Sequence, residues 1–113
     1  MLNTYRLPDD DVVCLSLLIE TAQQFGASPV FVSTVDEYPS LHFTTHDFLK
    51  DCEGGCEEFA IRFFSSDGKY LGSFYVVLGN GDYTTIADYG VNDWTTEVDK
   101  ALTAKIEAKT EEE

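Results

Sequence analysis

Between residues 58 and 90 three runs rich in β-branched and aromatic residues, 59–64, 70–78 and 83–89, are separated by Asp67-Gly68 and Asn80-Gly81. These are the dipeptides that most readily adopt the positive φ angles of a tight hairpin turn, so the stretch predicts a three-stranded antiparallel meander. A two-residue loop at Asp67-Gly68 sets Phe63 opposite Gly72, Ile61 opposite Phe74 and Phe59 opposite Val76. All six then share one face, because side chains alternate with period two. The reverse face carries Arg62, Phe64, Leu71, Ser73, Tyr75 and Val77. At the second turn a two-residue loop puts Ile86 beside Tyr75, whereas a three-residue loop through Asp82 puts it beside Val76 in the core. Burying an isoleucine is worth about 1.5–3 kcal/mol, which favours the longer loop or a bulge.

Around this meander the chain predicts two long helices. Pro8 ends a short lead-in that offers an edge strand through Tyr5 and Leu7. Asp9, Asp10 and Asp11 then supply an N-cap and first-turn negative charge for a helix running to about Phe25, with Gly26 as its C′ residue. Its stripe is Leu15, Leu18, Ile19, Ala22 and Phe25, with Cys14 beside them as a small buried hydrophobe. Residues 30–35 read as a strand, 36–40 as a turn around Pro39, and 41–44 as a shorter strand. Thr45 or His46 opens a helical turn or two that Gly54-Gly55 ends. Asn92 or Asp93 caps the last helix, whose stripe is Trp94, Val98, Ala101, Leu102 and Ile106 and which frays past Lys109. The expected architecture is one α+β domain over residues 1–113, with an acidic tail at about 110–113. Its antiparallel sheet of about four to five strands packs with an N-terminal and a C-terminal α-helix. If both helices take the core face, the reverse face keeps an apolar patch of the kind that marks an interface, a homodimer among the outcomes.

Charge separates this chain from most domains of its size. Twenty-one acidic residues against seven basic ones give a formal net charge of -14. Such a balance disfavours nucleic acid and anionic membrane surfaces as direct partners and favours a basic protein, although a soluble acidic surface accounts for part of it. No run approaches a membrane span and no basic, apolar leader opens the chain, so a cytoplasmic location is expected. Three cysteines, Cys14, Cys52 and Cys56, are then expected to be reduced thiols.

Catalytic and metal signals are sparse. His42 and His46, then Cys52 and Cys56, each have a spacing found in structural zinc sites, which allows a zinc-stabilised interaction domain as an alternative. Only five residues separate His46 from Cys52, and no Cys-x2-Cys knuckle is present, so the favoured reading has no metal and no cofactor. Cys52 or Cys56 with a histidine lacks an orienting third group, the many carboxylates lack the apolar pocket a general acid needs, and Gly79-Asn80-Gly81 lacks the lysine of a phosphate loop. The expectation is a binding protein and not an enzyme.

Carboxylates two residues apart on a strand sit about 6.8 Å apart and those on one helix face about 5–6 Å, against one phosphate per about 3.4 Å along each strand of a duplex. Rows of acids can therefore occupy the Lys/Arg groove of a nucleic-acid-binding enzyme. The partner-binding candidates are Asp36, Glu37, Asp47, Asp51, Glu53, Glu57 and Glu58, with Asp82, Asp88, Asp93, Glu97 and Asp99 as a second row. In size and charge alone the chain resembles the nucleic-acid mimics that phages and mobile elements direct against restriction or CRISPR nucleases. The alternative is an immunity or antitoxin-like protein that plugs a basic toxin.

Overall fold

A computed structural model describes residues 4–35, 38–54 and 57–111. The chain runs α1 (Asp9–Gln24), β1 (Phe31–Val35), β2 (Tyr38–His42), α2 (Thr45–Glu53), β3 (Glu58–Phe64), β4 (Tyr70–Val77), β5 (Ile86–Tyr89) and α3 (Asp93–Glu111). Its five strands form one sheet in the order β2-β1-β3-β4-β5, every neighbouring pair antiparallel, so the protein is an α+β fold.

The meander register follows the hydrophobic pattern. Phe59 pairs with Val76, Ile61 with Phe74 and Phe63 with Gly72, and all of these are buried. The first turn is one residue longer than expected. Ser65 N–H bonds to Lys69 O and Gly68 N–H to Ser65 O, with Gly68 at φ +86°, the geometry of a three-residue loop closed by a left-handed residue. A register shift between Phe63 and Phe64 absorbs the extra residue and leaves the core pairs in place. At the second turn Ile86 does pair with Val76 and packs against the core. Strand β5 is shorter than the expected 83–89, because Asp82 and Tyr83 take positive φ angles of 53° and 59°, which no strand accommodates.

All three helices bury their stripes on the Phe59, Ile61, Phe63, Phe74 and Val76 face. Helix α1 ends as its Gly26 foretells: Ala27 N–H reaches Ala22 O, Gly26 N–H reaches Gln23 O, and Gly26 sits at φ +98°. Its N-cap position is Pro8 and not an aspartate. Helix α3 starts with a reciprocal cap, Thr95 N–H to Asn92 Oδ1 and Asn92 N–H to Thr95 Oγ1, and continues to Glu111, two residues past the expected fraying point. It approaches β4 closely because Gly72 has no side chain; a Cβ there would collide with Thr95 Cγ2 and press on Trp94. Trp94 in turn donates its indole N–H to Phe25 O at the end of α1, 2.7 Å away, and Lys105 reaches Thr21 Oγ1 at 3.0 Å, so α1 and α3 are tied side by side.

Two further expectations are corrected. Residues 38–40 belong to strand β2 and not to a turn: β2 is an edge strand, where the missing N–H of Pro39 costs no ladder bond. Tyr5 and Leu7 pack against the core cluster without forming a strand, Tyr5 OH meeting His46 Nδ1 at 2.8 Å and Arg6 N–H meeting Glu53 Oε2 at 2.6 Å. Among the described residues no helix covers the reverse face of the sheet. Leu41, which pairs with Val32 on that face, is 62% exposed and Tyr75 is 39% exposed.

Candidate functional site

Helix α2 places the first acids. Thr44 Oγ1 accepts the Asp47 N–H at 3.0 Å and starts the helix, while Phe48, Leu49 and Cys52 bury its inner side. Asp47 and Asp51, one turn apart, are consequently left exposed on the outer side. Glu57 and Glu58 are exposed where β3 begins. In the second row Asp82, Asp88, Asp93 and Glu97 are exposed and Asp99 is half-buried. Asp36 and Glu37 lie outside the described residues.

One acid of each row, Glu58 and Asp88, lies on the open sheet face, whereas Asp47, Asp51, Asp93 and Glu97 stand on the helices of the other side. Tyr75 donates its hydroxyl to Glu58 Oε2 at 2.9 Å and pairs across the ladder with Asp88, so one acid from each row flanks the same exposed ring. The hydrogen bond to the Glu58 carboxylate holds the Tyr75 phenol above its ordinary pKa. Other candidates are engaged within the fold. Glu53 accepts from the Arg6 backbone and pairs with Lys50 at 3.2 Å, and the backbone hydrogen bond, foremost, holds its carboxyl below the usual range. Glu97 pairs with Lys100 at 3.6 Å, an exposed contact of small energetic weight.

Beside Asp51 the structure opens a cavity of about 200 Å³ between β1, β2 and α2. Phe48 and Phe59 line it with Val35, and Ser33, Ser40 and Asp51 supply oxygens. The buried His42 holds this wall together. Its Nε2 lies 2.7 Å from Ser33 Oγ, its Nδ1 lies 3.6 Å from Asp51 Oδ2, and its ring stands edge-on to Phe48 at 5.0 Å. The facing carboxylate favours the proton on Nδ1, so that Nε2 accepts the Ser33 hydroxyl hydrogen. Burial pulls the His42 pKa below its ordinary value, against the opposing influence of Asp51 and Asp47. No sequence signal linked Ser33 to His42, because only the β1–β2 register brings residues nine apart onto one face.

Sequence reasoning also missed what Asp10 and Asp11 do. Asp11 is fully buried and accepts from Gly79 N–H at 2.8 Å and Thr85 Oγ1 at 2.7 Å, while Asp10 accepts from Tyr83 N–H at 3.2 Å. They clamp the loop between β4 and β5. Among the described residues no three metal-ligating groups converge; Cys56, the last member of the proposed zinc quartet, lies outside them. Cys14 and Cys52 are buried and free, and burial pushes the Cys52 thiol up to about 12, which leaves it protonated and a poor nucleophile.

No helix among the described residues is long and apolar enough to cross a membrane. Comparison with protein-family models, curated proteins and solved structures finds no match.

Proposed function

We propose that this protein is a binding protein whose exposed carboxylates occupy the cationic groove of a nucleic-acid-binding enzyme, as an inhibitor that stands in for the phosphate backbone. The observation that carries the reading is the outward placement of Asp47, Asp51, Glu57, Glu58, Asp88 and Asp93 on regular elements or their immediate ends, with Asp82 exposed on the β4–β5 loop. Carboxylates held by a packed scaffold lose little freedom on binding, so their attraction for a Lys/Arg groove is not spent on ordering them. The longest extent of the molecule, 38 Å, is close to one turn of duplex, about 34–36 Å. Restriction and CRISPR nucleases are the class of target this shape and charge suit.

The test is capture from a host lysate on the immobilised protein, followed by a salt gradient and by competition with duplex DNA. The expected partner is a basic nucleic-acid-binding enzyme that elutes between about 50 and 200 mM salt and is displaced by DNA, because exposed charges are screened over about 8–10 Å. A partner retained through that range and indifferent to DNA would overturn the reading in favour of the apolar open face.

A further inference from the structure

We propose that the cavity between β1, β2 and α2 receives one arginine side chain of the cationic partner, an inference that rests on the binding role proposed above. Size is the first argument. At about 200 Å³ the cavity falls below the roughly 300–1,000 Å³ of pockets that hold drug-sized ligands, which leaves room for a single long side chain and not for a nucleotide.

Chemistry is the second argument. The inner wall is apolar and aromatic, with Phe48 edge-on to Phe59 at 5.8 Å, and suits the methylene stem and flat face of a guanidinium. The polar atoms are acceptors placed around that wall. Ser33 is 8% exposed and lines the cavity, and in the tautomer with the proton on His42 Nδ1 its hydroxyl hydrogen goes to Nε2, which leaves its oxygen as an acceptor. Ser40 faces Ser33 across the β1–β2 ladder and lines the same space. At the rim Asp51, its side chain 70% exposed, offers the carboxylate that a guanidinium fork recognises with two parallel hydrogen bonds. Charge excludes the opposite class of ligand: an anion entering here would meet Asp51 on a chain of net charge -14. An ammonium would use Asp51 but gain less from the aromatic lining and from several separated acceptors, because it is a compact, strongly hydrated point charge.

The test is an NMR titration of the full chain with n-butylguanidinium, beside its neutral isostere n-butylurea and n-butylammonium. We expect saturable backbone shifts at Ser33, Ser40, Phe48 and Cys52 with a Kd on the order of 1 mM, as befits so small a ligand. Binding should be at least about tenfold weaker for n-butylammonium and absent for n-butylurea. Asp51→Asn, an isosteric change at a side chain 70% exposed, should abolish the guanidinium shifts, and Ser33→Ala should weaken them. Equal binding of n-butylurea, or guanidinium shifts spread over the surface acids and unchanged by Asp51→Asn, would overturn the arginine seat. Neither result touches the lysate capture, whose outcome depends on the whole acidic surface, so failure of the seat and failure of the broader reading are separable.

Discussion

Asp11 and Asp51 are both helix aspartates in the same strongly acidic chain, yet their surroundings are opposite. Asp11 is fully buried at the start of α1, satisfied by a backbone N–H of the β4–β5 loop and by Thr85, with the positive end of the helix dipole behind it. Asp51, on α2, has a side chain 70% exposed, with the buried His42 imidazole 3.6 Å away. The first carboxylate is consumed by the fold. The second remains available to a partner. Net charge therefore overstates the binding surface: part of the acidity is structural, and donors supplied from a distant loop decide which part.

Mutation of the clamp should give the largest effect. Asp11→Ala leaves Gly79 N–H and Thr85 Oγ1 without their acceptor, and two charge-assisted bonds at about 1.5–3 kcal/mol each predict a loss of about 3 kcal/mol or more in urea unfolding. Thr85→Val removes one of the two donors and should cost about 1–2 kcal/mol by the same measurement. If Asp11→Ala cost no more than a surface substitution, the contrast between the two aspartates would collapse.

A pH series probes the other side of the comparison through His42. Its folded-state pKa lies below the unfolded value of about 6.5, so the unfolded chain binds the proton more readily. Stability should be full above about pH 6.5 and fall as pH drops from there through the folded-state pKa. In His42→Gln this pH-dependent loss should shrink, and an unchanged profile would remove His42 from the account. The smallest effect is expected at the exposed acids. Asp47→Asn, Glu57→Gln and Asp88→Asn should each change stability by less than about 0.5 kcal/mol. Reversing Asp47, Asp51, Glu57 and Glu58 together to lysine should spare the fold and weaken capture of the basic partner on the order of 10²-fold or more, at up to about 1 kcal/mol per contact before repulsion is counted. Capture unchanged by that exchange would confine the function to the open sheet face.

Local chemistry made most of the architecture readable. Period-two alternation through Phe59, Ile61 and Phe63 against Phe74 and Val76 admits one register that buries them all, and it survived a turn of a different length because the bulge beside Phe64 took up the difference. The stripes of α1 and α3 and the ends at Gly26 and Asn92 were equally local signals. The first part of β2, residues 38–40, read as a turn because Pro39 and Ser40 are poor strand residues in general and tolerable only at an edge, and edge position is a property of the whole sheet.

The sequence by itself determined an α+β fold with excess negative charge, since side-chain periodicity and composition act over a few residues and need no knowledge of distant neighbours. Only the tertiary structure decided that the three helices share one face, that Asp10 and Asp11 turn inward to a loop some seventy residues away, and that Ser33 and Asp51, each beside His42, line one cavity. The reason is that burial and hydrogen-bond satisfaction are set by the pairing of remote segments, and a carboxylate reads the same in sequence whether those segments meet it or leave it to water.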